Sequence, residues 1–152
     1  MLPKYFKDKH QAIQKTYKIE SFDFLNDPKI LMMKDYPHHG EVSCYVHSER
    51  VARYSYFVSK WLKLDHQSVL NGALLHDYYL YDRYKNSPGL HGLKHSKIAL
   101  FKASEDFDLN VIEKDIIRSH MFPLTPTIPK YKESFVVLCV DKVVATLEYF
   151  KG

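Results

Sequence analysis

The stretch VLNGALLHDYYLYD, residues 69–82, decides how this chain is read. It is apolar apart from Asn71, the adjacent His76 and Asp77, and the closing Asp82. On a helix, His76 lies three residues past Ala73 and seven past Val69, while Asp77 lies four past Ala73 and seven past Leu70. Both side chains therefore project from the apolar face. Burying ionisable groups is costly unless they are paired, hydrogen-bonded or bound to a metal. The pair needs partners, and the rest of the chain must supply them.

Working outward, the flanking segments read as helices. In EVSCYVHSERVARYSYFVSKWLKL (41–64), Val51, Tyr54, Val58, Trp61 and Leu62 recur at helical spacing, and His47 falls four residues before Val51 on the same predicted stripe. Asp65 is a cap for a second helix predicted to run through Leu80, with Val69, Leu70, Ala73, Leu74 and Leu80 inward. NSPGLHG (86–92) reads as a loop, and a short helix is expected from about residue 96 to 104. Asn110 and Glu113 have capping-box spacing for a helix to about Met121, stopped by Pro123. PLTPTIP (123–129) predicts an extended link, because residues before proline avoid the α region. A last long helix is expected over about 131–150. The pattern predicts an all-α fold, a compact helical bundle, with residues 1–37 as an accessory N-terminal helical segment and 38–152 as the main unit.

Composition narrows the function classes. Hydrophobic content of 45% and charged content of 26% belong to an ordinary globular chain. The net charge of +4 resides in residues 1–18, where Lys4, Lys7, Lys9, Lys15 and Lys18 face Asp8 alone. A solvated leader is the preferred reading over a polyanion-binding arm, so nucleic acid is not an expected partner. Cys44 and Cys139 suit neither a zinc knuckle nor a disulfide framework, and Cys139 is expected to pack as a small hydrophobe. No secretory n- and h-region opens the sequence, and the longest apolar run, FVVLCV (135–140), cannot span a bilayer. A reduced, cytoplasmic protein without membrane attachment is expected; the oligomeric state is left open.

The stripe arithmetic extends to other ionisable groups. Ile112, Ile116 and His120 step by four, and Leu138, Asp141 and Ala145 share a stripe of the last helix. His47, His76, Asp77, His120 and Asp141 thus come from four separate stripes. Buried carboxylates among several imidazoles satisfy one another best around a cation, and such a set suits Fe, Mn, Co, Ni or Zn better than a purely oxygen-seeking ion. Taken singly, each histidine has an ordinary reading as a hydrogen-bonded core residue; the convergence is what points to a metal site inside a bundle.

The order His47 … His76-Asp77 … Asp141, in the settings CYVHSERVARYS, GALLHD and LCVDKVVA, resembles the HD superfamily of metal-dependent phosphohydrolases over about residues 38–150. The resemblance implies an all-α HD-type domain whose His, His-Asp and Asp bind a divalent metal that activates water against a phosphate ester. His95 and His120 fall between the doublet and Asp141, which is similar to the binuclear subset. It implies His47, His76, Asp77 and Asp141 on a first metal, and Asp77, His95 and His120 on a second, with His91 as the alternative to His95. Two transition metals, Fe or Mn with Co, Ni or Zn as alternatives, are the implied cofactors. A small phosphorylated compound of nucleotide type is the implied substrate. The Gly-Tyr-Pro element of the cyclic-dinucleotide branch is absent. Asp77, Lys142 and Arg118 are the candidate catalytic residues, the two cations as phosphate contacts, with Arg50 and Arg53 as further cations near His47. His38 and His39 are candidates for the pocket mouth, and the tyrosines of YYLYDRY for packing or base stacking. The same ligand order also occurs in mixed-valence di-iron oxygenases of this superfamily, so an oxygenase acting on a small polar substrate is the alternative activity.

Overall fold

The computed structural model of the chain describes residues 2–78 and 91–151, apart from the side chains of His39 and residues 91–93. Seven α-helices lie among the described residues: α1 (Lys4–Leu25), α2 (Pro28–Leu31), α3 (Cys44–Trp61), α4 (His66–Leu75), α5 (His91–Asp106), α6 (Val111–Ser119) and α7 (Lys132–Lys151). A 3-10 turn (Met32–Asp35) leads into a short antiparallel hairpin, β1 (Pro37–His39) and β2 (Val42–Ser43), which the sequence reading took for a turn only. The fold is all-α, as the periodicity predicts. No described helix is long and apolar enough to cross a membrane.

One polar network joins the starts of α4, α6 and α7. Asp65 caps α4 by accepting from Ser68 N (3.1 Å) and Ser68 Oγ (2.7 Å). Asn110 and Glu113 form the expected capping box on α6, and Asn110 Nδ2 donates to Ser68 Oγ (2.9 Å) while Asn71 Nδ2 donates to Glu113 Oε1 (3.0 Å). Asp65 N donates to Glu133 Oε1 at the head of α7 (3.1 Å). With their first turns tied and lengths of 10 and 9 residues, α4 and α6 end at the same level. His76 and His120 sit at those two ends.

Apolar packing follows from this frame. One cluster joins Ile13 and Tyr17 of α1 with Val51, Ala52, Tyr56, Val69, Leu70, Ala73, Leu74, Ile116, Val137 and Val144. A second joins Ile30, Met33, Cys44, Leu75, Tyr78, Ala99, Ala103, Leu109 and Ile117. Leu74 and Leu75 belong to different clusters, as do Ile116 and Ile117. The ends of α4 and α6 therefore mark the seam between them.

Several expectations are corrected. α4 stops at Leu75, five residues before the expected end, because His76 N already turns back to Ala73 O and Tyr78 N to Leu75 O. Leu80 and the 86–90 part of the predicted loop lie outside the described residues, and α5 begins at His91 instead of near residue 96. α6 ends at Ser119 and not at Met121. The segment expected to be extended opens with turns, Phe122 N bonding Ser119 O and Thr125 N bonding Met121 O. On α3, Val51 is buried as expected, but Tyr54, Val58 and Leu62 are exposed. The buried residues are Cys44, His47, Ser48, Val51, Ala52, Ser55, Tyr56 and Ser59; apart from His47 and Tyr56 they are small and admit α4 closely. α3 closes in a Schellman turn, with Leu64 N to Ser59 O (2.9 Å), Lys63 N to Lys60 O (3.3 Å) and Lys63 at φ 57°. Cys139 is exposed, not packed inside.

α4 and α6 approach most closely at Gly72. A Cβ there would lie 2.7 Å from Ile116 Cδ1 and 3.0 Å from its Cβ and Cγ2. Helix propensity alone favours alanine over glycine by about 1 kcal/mol, whereas overpacking a tight core costs about 1–3 kcal/mol. Gly72→Ala is therefore expected to destabilise in urea unfolding. Ile116→Val, which removes the closest carbon, should be less harmful in the Gly72→Ala background than in the natural chain. A Gly72→Ala protein more stable than the natural one would rule out this close approach.

Candidate metal centre

The ends of α4 and α6 use the same local device. The last carbonyls of a helix lack intrahelical donors, and at each end a histidine ring fills the gap. His76 Nδ1–H donates to Ala73 O (2.6 Å) and His120 Nδ1–H to Ile117 O (2.7 Å). Each bond anchors the ring through Nδ1 and turns Nε2 away from the helix. His76 and Asp77 thus lie in the turn beyond α4 and not on its helical face, as the sequence reading had it.

Asp77 stands at the centre, 3% exposed. Its Oδ2 accepts from His38 Nε2–H (2.8 Å) and lies 3.3 Å from His76 Nε2 and 3.7 Å from His47 Nε2. Its Oδ1 lies 3.2 Å from His95 Nε2 and 3.4 Å from His120 Nε2, and those two nitrogens are 2.9 Å apart. Asp141 Oδ1 lies 2.9 Å from His47 Nε2 and 3.3 Å from His76 Nε2. One oxygen of Asp77 therefore faces the His47–His76–Asp141 group, and the other faces His95 and His120. Neighbouring ligands on one metal with bonds of about 2.1 Å are separated by about 3–3.4 Å; these donor pairs lie at 2.9–3.4 Å, apart from His47 to Asp77 at 3.7 Å.

The donor set fits a metal ion on a second count. His76 Nε2 and Asp77 Oδ1 are buried and complete no hydrogen bond among the described residues, although ionisable side chains lie 3.2–3.4 Å away. Compact groups of His47, His76 and Asp77, of His76, His120 and Asp141, and of Asp77, His95 and His120 could each hold an ion.

Charge is balanced tightly. Burial pushes the Asp77 and Asp141 carboxyls up, but His76, the other imidazoles and their hydrogen bonds win, holding both well below the usual carboxylate range. Burial disfavours the His47 imidazolium, yet hydrogen bonds to Asp141 and Glu148 raise its pKa to about 8. Burial likewise opposes a charge on His76, and Asp77 and Asp141 overcome it and hold its pKa well above the usual value. Burial lowers His120, keeping its ring neutral. In the metal-free chain a proton stands where a metal would bind, and a metal must displace it.

Two contributors escaped the sequence reading in their actual roles. His38, expected at a pocket mouth, is buried, stacks on His47 with ring centroids 3.8 Å apart, and bonds Asp77. Glu148 receives His47 Nδ1–H at Oε2 (2.8 Å) and Arg50 at Oε1 (2.9 Å). Its signal was the seven-residue step from Asp141, which keeps it on the same face of α7. Arg50 thus serves Glu148, and Arg53 pairs with Glu49 (3.4 Å). Lys142 reaches the cluster's edge, its Nζ donating to His120 O (3.4 Å). Arg118, two residues before His120 and so on the far side of α6, pairs with Asp115 (3.7 Å). Tyr78 packs inside and donates to Asp106 Oδ2 (2.7 Å). Tyr79, Tyr81 and Tyr84 lie outside the described residues, as do the side chains of His39 and His91.

In comparisons with protein-family models, curated proteins and solved structures, the chain finds no match. The geometry alone carries the functional argument.

A carboxylate behind a metal-binding histidine orients the ring and raises its basicity, and its loss typically weakens metal binding 10–100-fold. Glu148→Ala is expected to weaken Mn(II) binding by about that factor in calorimetric titration, with helical circular dichroism preserved. Glu148→Gln, which keeps an acceptor for His47, should lie between. Unchanged affinity in both variants would reduce Glu148 to a packing residue.

Proposed function

We propose that this chain is a metal-dependent phosphohydrolase of HD-superfamily type, cleaving a small phosphate ester of the nucleotide class. The observation that carries the reading is Asp77, whose two oxygens face two separate sets of imidazoles. That arrangement supports a pair of divalent ions, Fe or Mn with Co, Ni or Zn as alternatives. His47, His76, Asp77 and Asp141 would hold the first, and Asp77, His95 and His120 the second. Such ions supply Lewis-acid polarisation of the phosphoryl group and lower the pKa of water.

The chain's own groups do the rest. Backbone carbonyls hold His76 and His120 in one tautomer, so their Nε2 atoms need no reorientation when a metal arrives. Burial of Asp77 and Asp141 keeps bulk water from screening the site. Lys142, at the cluster's edge, is the cation suited to a phosphate oxygen; Arg118 faces elsewhere, and the reading assigns it no contact. His95 is favoured over His91 because its Nε2 meets both Asp77 and His120.

The test is metal analysis of anaerobically reconstituted protein, followed by a phosphate-release screen over nucleotides and sugar phosphates. Two metals per chain are expected. His95→Ala and His120→Ala should each lower occupancy from two toward one and reduce phosphate release by orders of magnitude, with the helical fold retained. Occupancy of two in both variants would refute the second site. Substrate-dependent oxygen uptake by the iron form, without phosphate release, would move the chain to the di-iron oxygenase reading.

A further inference from the structure

We propose that the α3–α7 face is a homodimer interface, closed by a second copy of this chain across a two-fold axis. The starting point is the polarity of α7, which is inverted. Its acidic residues Asp141 and Glu148 point inward to the metal centre and are buried. Its outward ridge is Phe135, Cys139, Val143 and Leu147, at intervals of four, continued by Phe150. Beside that ridge runs a groove of about 680 Å3, lined by Tyr54 and Val58 of α3 and by Val136, Val140 and Val144 of α7. No charged side chain lines it. A helix that is apolar on its solvent side belongs against another surface.

Three features favour a second copy as the occupant. The first is area. Tyr54, Phe135 and Phe150 are 52%, 47% and 81% exposed. At about 150–250 Å2 per aromatic side chain they present roughly 270–450 Å2. Val58, Val143, Leu147 and Cys139 add to this, toward the ~800 Å2 per partner of a standard interface.

The second is shape. An isologous interface must be complementary to itself, with ridge and groove on one face. Here they are adjacent. The ridge is symmetric about position 141, so an antiparallel copy brings Phe135 beside Leu147 and Cys139 beside Val143, with each ridge lying in the other's groove.

The third is charge. A two-fold axis brings identical charges together, so a self-pairing face must carry none at its centre. The patch itself is uncharged. An antiparallel α7 pair also brings Glu133, at one end of the helix, toward Lys151 of the copy, at the other.

The protein carries its own probe. Of its two cysteines, Cys44 is buried and Cys139 is exposed at the middle of the ridge. The experiment is sedimentation of the metal-loaded chain at micromolar concentration, together with the rate of Cys139 alkylation. The natural chain is expected to sediment as a dimer with Cys139 protected. Val143→Glu changes a residue that is 59% exposed in one copy, so metal content and circular dichroism should be kept. It should shift the dimer dissociation constant by at least about 100-fold, since it buries a carboxylate of each copy beside Cys139 of the other with no cation to pair it, and it should restore fast alkylation. Leu147→Asp, one turn along, serves if Val143→Glu loses its fold. A monomeric natural chain with rapidly alkylated Cys139 overturns the proposal. So does a dimer that survives both substitutions, and so does a monomer that binds anionic phospholipid vesicles through this face.

Discussion

The buried carboxylate of Asp77 is the constraint on which the rest of the structure depends. A charge at 3% exposure in a helical core is tolerable only if both oxygens are compensated. Five imidazoles from separate parts of the chain perform that task, from β1, α3, the end of α4, α5 and the end of α6. Each donor must therefore arrive within a few ångströms of one point, and the topology can be understood as the means of bringing them there.

Registration begins at the opposite end of the bundle. Asp65, Ser68, Asn71, Asn110, Glu113 and Glu133 lock the first turns of α4, α6 and α7 together. Asp115 adds a second tie, accepting from Lys130 N (2.9 Å) and Ser134 Oγ (2.6 Å) just where α7 begins. Because a helix rises about 1.5 Å per residue, fixing its start fixes the level of every later side chain. The polar ties at one end thus set where His76, His120 and Asp141 meet at the other. The 2.7 Å clash awaiting any Cβ at Gly72 shows how little slack remains between α4 and α6.

The sequence made the centre of this arrangement legible and its surroundings less so. His47, His76, Asp77 and Asp141 stand out because they interrupt apolar stripes, and buried charge in a stripe has few explanations. His38 follows no stripe; a histidine in a hairpin next to a positive-φ Gly40 reads as exposed polarity until the hairpin folds over His47. The buried face of α3 was misread for a different reason. Serine is polar in a periodicity count, yet Ser59 Oγ satisfies itself on Tyr56 O (2.8 Å) and can be buried at little penalty. Its small size is what close helix packing requires. Tyr54, Val58 and Leu62 carried the hydrophobic period but were left outside. Periodicity locates a helix reliably and its inner face less so when small polar residues compete with large apolar ones.

That misreading and the polarity of α7 have one origin. A bundle that buries a cluster of histidines and carboxylates must turn polar side chains inward, and every such turn uses a helical face that would otherwise hold apolar residues. On α7, Asp141 and Glu148 occupy inward positions, one facing His47 Nε2 and the other its Nδ1. The helix still includes FVVLCV and, beyond Asp141, Val143, Val144 and Leu147. Val137, Leu138 and Val144 find room inside, while Phe135, Val143 and Leu147 are displaced to the surface. On α3, His47 and the serines take the inward face, and Tyr54 and Val58 emerge beside the same groove. Exposed apolar surface on α3 and α7 is therefore the outer counterpart of the ionisable groups that the same two helices bury. The two faces are coupled through helix geometry: rotating α3 to hide its outer residues would withdraw His47 from Asp77 and Asp141, and rotating α7 would withdraw Asp141 and Glu148 from His47.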